Sequence, residues 1–275
     1  MTQIPRAAVI GNPISHSLSP KLHNYWLRRY QLQGEYVALQ VAEDALEKTL
    51  RQMPQDGFIG ANVTIPHKVS VMQLADHITD RATLIGAANT LIFKNDGKIF
   101  ADNTDGYGFI ANLRQGAPDW DPKAGPAAIF GAGGAARAII VALADAGVPE
   151  ILLANRTRPK AEALKTEFGT RIQVVDWVQA NLMLADARTV INTTSLGMKG
   201  GPEFKVSLEA LRPDAVVTDI VYNPLRTPFL QAAEAAGCIT VDGLGMLLHQ
   251  GVPGFERWFG KRPEVDEETR RAVLS

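Results

Sequence analysis

Cysteine is almost absent from this chain of 275 residues, which contains only Cys238. A single cysteine excludes an internal disulfide, and the five histidines are too scattered to offer a metal-binding cluster. The chain also lacks an excess of charge, because 28 basic residues oppose 29 acidic ones and leave a net charge of −1. This balance gives no electrostatic reason to expect a nucleic acid or an acidic membrane as a partner.

Long apolar runs are missing as well. The longest one near the N-terminus covers residues 7–10, which is far too short for a signal peptide or a membrane span. Hydrophobic residues still make up 46% of the chain, enough for an ordinary globular core. A cytoplasmic enzyme is therefore the default expectation.

The chain does have a glycine-rich turn, GAGGAA over 131–136, between an apolar run at 127–130 and an alanine-rich helix. Glycine permits a tight turn and lets backbone N–H groups approach a pyrophosphate, and the small Ala136 lets helix and strand pack closely. The helix N-terminus would then face the phosphates. The turn predicts a dinucleotide site whose contacts are Gly131, Ala132, Gly133, Gly134 and Ala135.

The residues Asn155, Arg156 and Thr157 follow the next apolar run, 151–154, where a NAD-binding protein would have an acid. An acid there would accept a hydrogen bond from the ribose 2′-hydroxyl and repel a 2′-phosphate, whereas a guanidinium can grip that phosphate. The trio therefore predicts NADP as the cofactor. Arg158 is either a second phosphate contact or a solvated residue.

Short β-rich runs alternate with helical stretches along the whole chain. After residue 120 we expect strands at 127–130, 151–154, 172–175, 189–192, 215–220 and 239–241, with helices at 134–146, 159–168 and 227–236. Before residue 104 we expect strands at 6–11, 35–41, 57–63 and 88–93, a hairpin turn at 95–98 leading to 99–101, and helices near 19–31, 43–53 and 67–77. The first pattern is typical of a doubly wound Rossmann sheet, and the second indicates a separate α/β sheet.

The prediction is an α/β protein with two domains. The N-terminal α/β domain, 1–105 plus 244–275, would bind substrate and hold the catalytic residues, with the C-terminal helix returning to it. Residues 106–243 would form the NADP-binding Rossmann domain.

Four polar clusters in the first domain are candidates for its site: 12–20, 62–68, 88–90 and 102–106. In the first, Ser19 before Pro20 is expected to cap a helix, which leaves Ser15 and Ser17 to face a carboxylate or hydroxyl.

In the second cluster, a lysine in the first turn of the expected helix opposes the helix dipole. Lys68 is therefore better explained by function than by stability. In the fourth cluster, one of Asp102 and Asp105 is expected to cap the following helix, and the other is free for chemistry.

In their order along the chain, these segments resemble those of the shikimate dehydrogenases. The matching strings are GNPISHSLSP from 11, NVTIPHK from 62, GAANT from 86, DNTDG from 102, GAGGAARA from 131, NRT from 155, NTTSLGM from 192 and DGLGMLLHQ from 242. The resemblance covers nearly the whole chain. It implies the reversible, NADPH-dependent reduction of 3-dehydroshikimate to shikimate, a step of the shikimate pathway to chorismate and the aromatic amino acids.

The resemblance also implies roles for single residues. Lys68 would be the catalytic acid/base, with Asp105 as its partner, and Asp105 is expected to orient and relay more than to activate. The substrate carboxylate would lie on Ser15 and Ser17. The remaining substrate contacts would be Thr64, Asn89, Asp105, Tyr222 and Gln250.

On the cofactor side, the resemblance places Ile220 and Gly243 along the nicotinamide and makes Asp80 a cofactor neighbour. The chain departs from the family pattern at Gly251, where alanine is more usual. Together with Pro253, this glycine puts the regularity of the expected helix in doubt.

Three alternatives stay open. A quinate/shikimate dehydrogenase with relaxed cofactor use would share the fold, and Arg156 argues against it. A non-catalytic NADP-sensing protein would not need Lys68 and Asp105 together, and a folate-linked dehydrogenase fits the serine loop poorly. The sequence leaves both a monomer and a homodimer possible.

Overall fold

The computed structural model describes residues 4–275. The chain divides into two compact units, the first running up to Gly108 and resuming at Leu247–Ser275, and the second covering Phe109–Met246. Each unit contains one six-stranded sheet among the described residues.

The first unit is built on a mixed sheet. Its strands are β1 (Arg6–Gly11), β2 (Glu35–Gln40), β3 (Phe58–Val63), β4 (His77–Ile78), β5 (Thr90–Phe93) and β6 (Ile99–Asp102), in the order β2-β1-β3-β5-β6-β4. β1 pairs in parallel with β2 and β3, whereas β5 runs antiparallel to β3 and β6. Since side chains on both faces of β1 are buried, this strand reads as a continuous apolar run.

The helices of the first unit are α1 (Ser19–Arg29), α2 (Leu46–Gln52), α3 (Asp80–Ile85) and, at the end of the chain, α9 (Glu267–Leu274). Two further helices belong to both units: α4 (Asp105–Gly116) leads out of the first unit, and α8 (Leu244–Phe259) leads back into it. The predicted return of the C-terminal helix to the first unit is confirmed.

The predicted helix over 67–77 is wrong. The chain forms turns there and a short 3-10 helix, Ser70–Gln73, before β4. The β-branched residues Val69 and Val71 are poor helix formers, and the Lys68 carbonyl accepts a hydrogen bond from Ala88 N–H at 2.8 Å. Lys68 is therefore not in the first turn of an α-helix, and the argument from the helix dipole does not apply to it.

The doubt about the C-terminal helix is resolved, since α8 continues through Pro253. Gly251 faces an aromatic cluster in which His23 stacks on Tyr36 with ring centroids 4.0 Å apart. A Cβ at Gly251 would lie 3.2 Å from His23 Nε2 and 3.4 Å from Trp26 Cζ3. This crowding gives a physical reason for glycine where alanine is more usual.

The second unit is a parallel sheet with helices between its strands. The strands are β7 (Ala127–Phe130), β8 (Ile151–Ala154), β9 (Ile172–Val175), β10 (Thr189–Asn192), β11 (Val216–Asp219) and β12 (Ile239–Val241), in the order β12-β11-β10-β7-β8-β9. The intervening helices are α5 (Gly134–Ala146), α6 (Arg158–Phe168) and α7 (Pro228–Ala235), with a 3-10 helix over Trp177–Ala185. The predicted Rossmann architecture is confirmed.

The strand order reverses at β7, whose two neighbours, β8 and β10, lead in opposite directions across the sheet. Loops beyond the carboxyl ends of strands at such a switch point form the usual ligand crevice of an open α/β sheet. The glycine turn after β7 lies at this point.

Candidate active site and nucleotide pocket

Lys68 and Asp105 meet in the first unit. Lys68 Nζ donates to Asp105 Oδ2 at 2.5 Å, and the two side chains are 18% and 6% exposed. Lys68 follows β3, and Asp105 is the first residue of α4. The fold thus brings together an ammonium and a carboxylate that are 37 residues apart in the sequence. Such a pair has the means to move a proton to or from a bound oxygen.

The Asp105 carboxylate is held by the amide of Asn89, whose Nδ2 donates to Asp105 Oδ1 at 2.8 Å. The same amide nitrogen lies 3.1 Å from Gln250 Oε1 and 3.0 Å from Thr104 Oγ1. Thr104 Oγ1 in turn donates to the Gln250 carbonyl at 2.8 Å. The structure thus brings four of the predicted site residues, Lys68, Asn89, Asp105 and Gln250, into one cluster.

The start of α4 is held by Asn103 and not by either aspartate of the segment. Asn103 Oδ1 accepts from Asp105 N–H at 3.0 Å, and Asp102 is occupied by arginines, as described below. The expectation that an acid caps this helix is therefore wrong.

The serine loop and Thr64 leave the same edge of the first sheet. β1 and β3 are parallel neighbours, and Asn12 N–H after β1 donates to the Ile65 carbonyl after β3 at 3.0 Å. Ser15 is exposed and Thr64 is half-buried. Both stay available to a ligand at this edge.

The predicted capping role of Ser19 is wrong, because Ser19 lies inside α1 and Leu18 is the N-cap residue. Ser17 Oγ instead accepts from Ser19 N–H at 3.3 Å. Pro20 lies in the first turn of α1, where a missing backbone N–H is tolerated. Ser17 therefore has a structural contact in addition to its predicted role.

Asp80 is exposed in the first turn of α3, after the N-cap Thr79, whose Oγ1 accepts from Ala82 N–H at 3.2 Å. A carboxylate there is stabilised by the helix dipole. This placement already gives Asp80 a structural role.

In the second unit, Ile220 and Gly243 lie side by side. A Cβ at Gly243 would come within 2.5 Å of the Ile220 carbonyl oxygen, so only glycine permits this approach of the two backbones. Tyr222 follows two residues after Ile220, and burial raises the pKa of its phenol.

The loop that carries Ile220 and Tyr222 is anchored by the fully buried Asp219 at the end of β11. Its carboxylate accepts hydrogen bonds from Asn192 Nδ2 at 3.0 Å, Val221 N–H at 2.9 Å and Thr227 Oγ1 at 2.7 Å. Burial raises its pKa to about 6 despite these donors.

A pocket of about 260 Å³ opens at the glycine turn of the second unit. Gly131 has φ +110°, and a Cβ there would lie 2.6 Å from Thr193 Oγ1, so the turn requires glycine. A Cβ at Gly133 or Gly134 would meet nothing within 4 Å, and the first turn of α5 has neither an acid nor a side-chain cap. This open space in front of a helix N-terminus fits a pyrophosphate.

Two basic side chains, Arg156 and Lys160, line this pocket. Among residues 4–275, neither side chain has a carboxylate partner. Arg158, by contrast, pairs with Glu162 at 2.8 Å and Asp176 at 2.5 Å, which favours its structural interpretation.

Asn155 connects the trio to the glycine turn. Its Oδ1 accepts from Ala132 N–H at 3.1 Å, and its Nδ2 donates to the Thr157 carbonyl at 2.8 Å. These two bonds fix the predicted phosphate-binding segment against the predicted pyrophosphate turn.

Some pocket residues were not among the sequence predictions: Lys160, Trp177 and 193–196. Lys160 lies in the first turn of α6, and no local sequence pattern singles it out. The segment 193–196 follows β10, the other strand at the switch point, and its position was a usable signal.

Within residues 4–275, no group of three or more histidine, cysteine, aspartate or glutamate side chains is arranged to hold a metal ion. In the same residues, no helix combines the length and the apolar character needed to cross a membrane.

A Rossmann sheet whose pocket is lined by Arg156 and Lys160, on a chain in which a half-buried lysine contacts a buried aspartate, indicates an NADP-dependent oxidoreductase. Comparison with known families identifies which one. Residues 9–91 match the shikimate dehydrogenase substrate binding domain, 120–198 match the shikimate/quinate 5-dehydrogenase family, and 243–274 match the shikimate 5′-dehydrogenase C-terminal domain. The chain belongs to the shikimate dehydrogenase family.

Individual relatives agree with this assignment. The shikimate dehydrogenase (NADP(+)) of Cereibacter sphaeroides strain ATCC 17029 is 67% identical over 100% of this chain and 99% of the relative. The crystal structure of shikimate dehydrogenase from Aquifex aeolicus superimposes with a TM-score of 0.91 at 34% identity, covering 100% of this chain and 99% of that one. The Thermus thermophilus enzyme in complex with NADP(H) and shikimate gives 0.87 at 36% identity, covering 98% and 100%.

Proposed function

We propose that this enzyme interconverts 3-dehydroshikimate and shikimate with NADP(H), using Lys68 as the acid/base and Asp105 as its partner. The observation that carries the assignment of roles is the 2.5 Å contact between Lys68 Nζ and Asp105 Oδ2, inside the cluster formed by Asn89 and Gln250. The 67% identity to a named shikimate dehydrogenase supports the choice of substrate.

When bound, NADPH supplies the hydride that reduces the substrate carbonyl. Lys68 donates a proton from Nζ to the carbonyl oxygen as that oxygen gains negative charge, and takes a proton from the hydroxyl in the reverse direction. Asp105 orients Nζ and relays the proton, and Asn89 fixes Asp105 by its hydrogen bond to Oδ1.

The proposed substrate contacts are those that the resemblance to the family implies. Ser15 and Ser17 would hold the carboxylate, and the ring hydroxyls would contact Thr64, Asn89, Asp105 and Gln250. Tyr222 is a further proposed substrate contact. The match of residues 9–91 to a substrate binding domain supports assigning substrate to the first unit.

The second unit would hold the cofactor. The pyrophosphate fits the open space at Gly133 and Gly134, and the 2′-phosphate fits Arg156 and Lys160. Ile220 and Gly243 would line the nicotinamide. Asp80 remains a weaker candidate because its position in α3 already explains it.

The test is an assay of purified protein in which shikimate and quinate are each combined with NADP and NAD, followed by the absorbance of the reduced nicotinamide. Turnover with shikimate and NADP alone is the expected result. Comparable turnover of quinate with NAD would favour the quinate/shikimate alternative. NADP binding without any turnover would favour a sensing protein and overturn the proposed reaction.

We also infer, from the sequence alone, a cytoplasmic location and a monomeric or homodimeric state. Cell fractionation tests the first, and light scattering of the purified protein tests the second.

A further inference from the structure

Asp102, at the end of β6, is almost completely buried, with 1% of its side chain exposed. It is neither a predicted site residue nor part of the proposed proton transfer. Its carboxylate nevertheless has more partners than that of any predicted site residue. Oδ1 accepts from Thr79 Oγ1 at 2.8 Å and from Asn103 N–H at 2.7 Å, and Oδ2 accepts from Arg257 Nη1 at 2.7 Å.

Arg81 contacts both carboxylate oxygens, at 3.0 and 2.9 Å. Burial raises the pKa of Asp102, but the hydrogen bonds from Thr79 and Arg257 and the charge of Arg81 outweigh it, and the net pKa lies below the ordinary value. The group is therefore a charged carboxylate held between two guanidinium groups.

Asp102 reaches the proposed catalytic carboxylate through the next residue. Its Oδ1 holds Asn103 N–H, and Asn103 Oδ1 holds the N–H of Asp105 at 3.0 Å. The backbone carbonyl of Asp102 also accepts from Asn89 N–H at 3.0 Å, and Asn89 is the residue whose amide holds Asp105. Two short hydrogen-bonded paths thus lead from Asp102 to the same carboxylate.

A third path leads to Gln250. Arg257 and Gln250 are both in α8, seven residues apart, which is close to two turns, so they lie on the same face of the helix. Arg257 ties this face to Asp102, while Gln250 Oε1 accepts from Asn89 Nδ2 at 3.1 Å. The Arg257–Asp102 ion pair therefore fixes the position of α8 along its axis, and with it the position of Gln250 relative to Asn89.

We propose that Asp102 is a positioning residue of the reaction: held by Arg81 and Arg257, it fixes the loop that carries Asp105 and the helix that carries Gln250 in the arrangement that turnover requires. This inference rests on the proposed function, because the cluster it positions is the one assigned to proton transfer. It concerns the geometry of that cluster and not its chemistry, since Asp102 touches neither Lys68 Nζ nor the space in front of it.

The test compares two arginines of the first unit. Arg257→Gln removes one guanidinium from Asp102, whereas Arg29→Gln breaks the Arg29–Asp266 pair, with bonds of 3.0 and 2.8 Å, between α1 and α9. Both variants lose an arginine–carboxylate contact and both should melt at a lower temperature. Only R257Q should lower kcat, by about tenfold or more, and raise KM for shikimate, because displacements near 1 Å can cost on the order of 10²-fold.

Two further measurements separate positioning from general weakening. The Kd for NADPH should stay within about twofold in R257Q, since the proposed cofactor pocket is lined by residues of the second unit. Arg257→Lys should restore most of kcat, because Arg257 makes a single hydrogen bond to Asp102 that an ammonium can replace. Asp102→Asn should resemble R257Q, and the arginine variants decide the question if D102N does not fold.

Wild-type kinetics in R257Q, with a melting temperature lowered as far as in R29Q, would overturn the positioning role. That outcome leaves the proposed function intact, because the wild-type protein would still oxidise shikimate with NADP. Failure of the wild-type protein to turn over shikimate is the separate result that overturns the function itself.

Discussion

At the residue scale, the proposed proton transfer depends on one ammonium group. Lys68→Met keeps the length of the side chain and removes the charge, so kcat should fall by about 10²–10⁴ while the Kd for shikimate changes little. Steady-state kinetics together with calorimetric titration of shikimate measure both quantities. The exposed Lys48→Met on α2 is the matched control. A variant that retained turnover and lost only affinity would contradict the acid/base role.

Cofactor selectivity also belongs to single side chains. Arg156→Ala should weaken NADPH by about 10–100-fold, the loss expected for a charge-assisted hydrogen bond, and NADH far less. Lys160→Ala should act in the same direction. Arg158→Ala is the control, because that guanidinium is already paired with Glu162 and Asp176. Fluorescence titration with both cofactors gives the Kd values, and equal losses for NADPH and NADH would refute a 2′-phosphate contact.

At the scale of the elements, Asp219 at the end of β11 makes the stability of the protein depend on pH. The pKa of Asp219 in the folded protein is about 6, above its ordinary value of 3.8. The folded state therefore holds this proton more tightly than the unfolded chain. The contribution of Asp219 to stability consequently falls as pH rises from about 4 to about 6, by at most about 3 kcal/mol.

Asp219→Asn removes this titration. Thr227 Oγ1 donates to the wild-type carboxylate, and the amide nitrogen of the variant can donate to Thr227 Oγ1 instead, so the contact is kept with its direction reversed. Denaturant unfolding at pH 4 and pH 7 should show the stability of D219N improving relative to the wild type at the higher pH. An unchanged difference between the two proteins at both pH values would rule out this role for Asp219.

The aromatic cluster that packs against Gly251 of α8 should change the stability of the protein with pH in the opposite direction. His23 is fully buried, and neither of its ring nitrogens has a hydrogen-bond partner within residues 4–275; burial lowers its pKa from 6.5 to about 3. The unfolded chain therefore binds this proton first, so stability is lost as pH falls below about 6.5, by up to about 3 kcal/mol near pH 4.

His23→Phe retains the aromatic packing. The variant should therefore lose less unfolding free energy than the wild type as pH falls from 7 to 4. Chemical denaturation of both proteins across pH 4–7 measures it. A slope in H23F equal to that of the wild type would show that His23 does not control acid stability.

At the scale of the whole molecule, the parts predicted well are those that depend on local pattern. The strands of the second sheet are short apolar runs bounded by turn residues, and they agree with the structure to within a residue at most ends. The helix expected over 67–77 is wrong and β4 was not predicted, because two residues give no periodicity and the Lys68 backbone is held by a distant Ala88.

The residues of the candidate site likewise divide into those that a local pattern predicts and those that only packing brings together. Lys68, Asp105 and the glycine turn belong to recognisable strings, so the sequence contains enough to single them out. The ion pair of Asp102 with Arg257 joins residues 155 positions apart, and Lys160 and Trp177 reach the proposed nucleotide pocket from separate elements. No local pattern encodes such contacts, since they arise only when the elements pack.

The division of the first unit into two pieces of chain sets the order in which the protein can be completed. The whole of Phe109–Met246 is synthesised before the segment that begins at Leu247 and supplies Gln250 and Arg257. The second unit therefore has all of its strands while the first still lacks its last two helices. A nascent chain can therefore complete the proposed nucleotide pocket before Gln250 and Arg257 complete the cluster around Asp105.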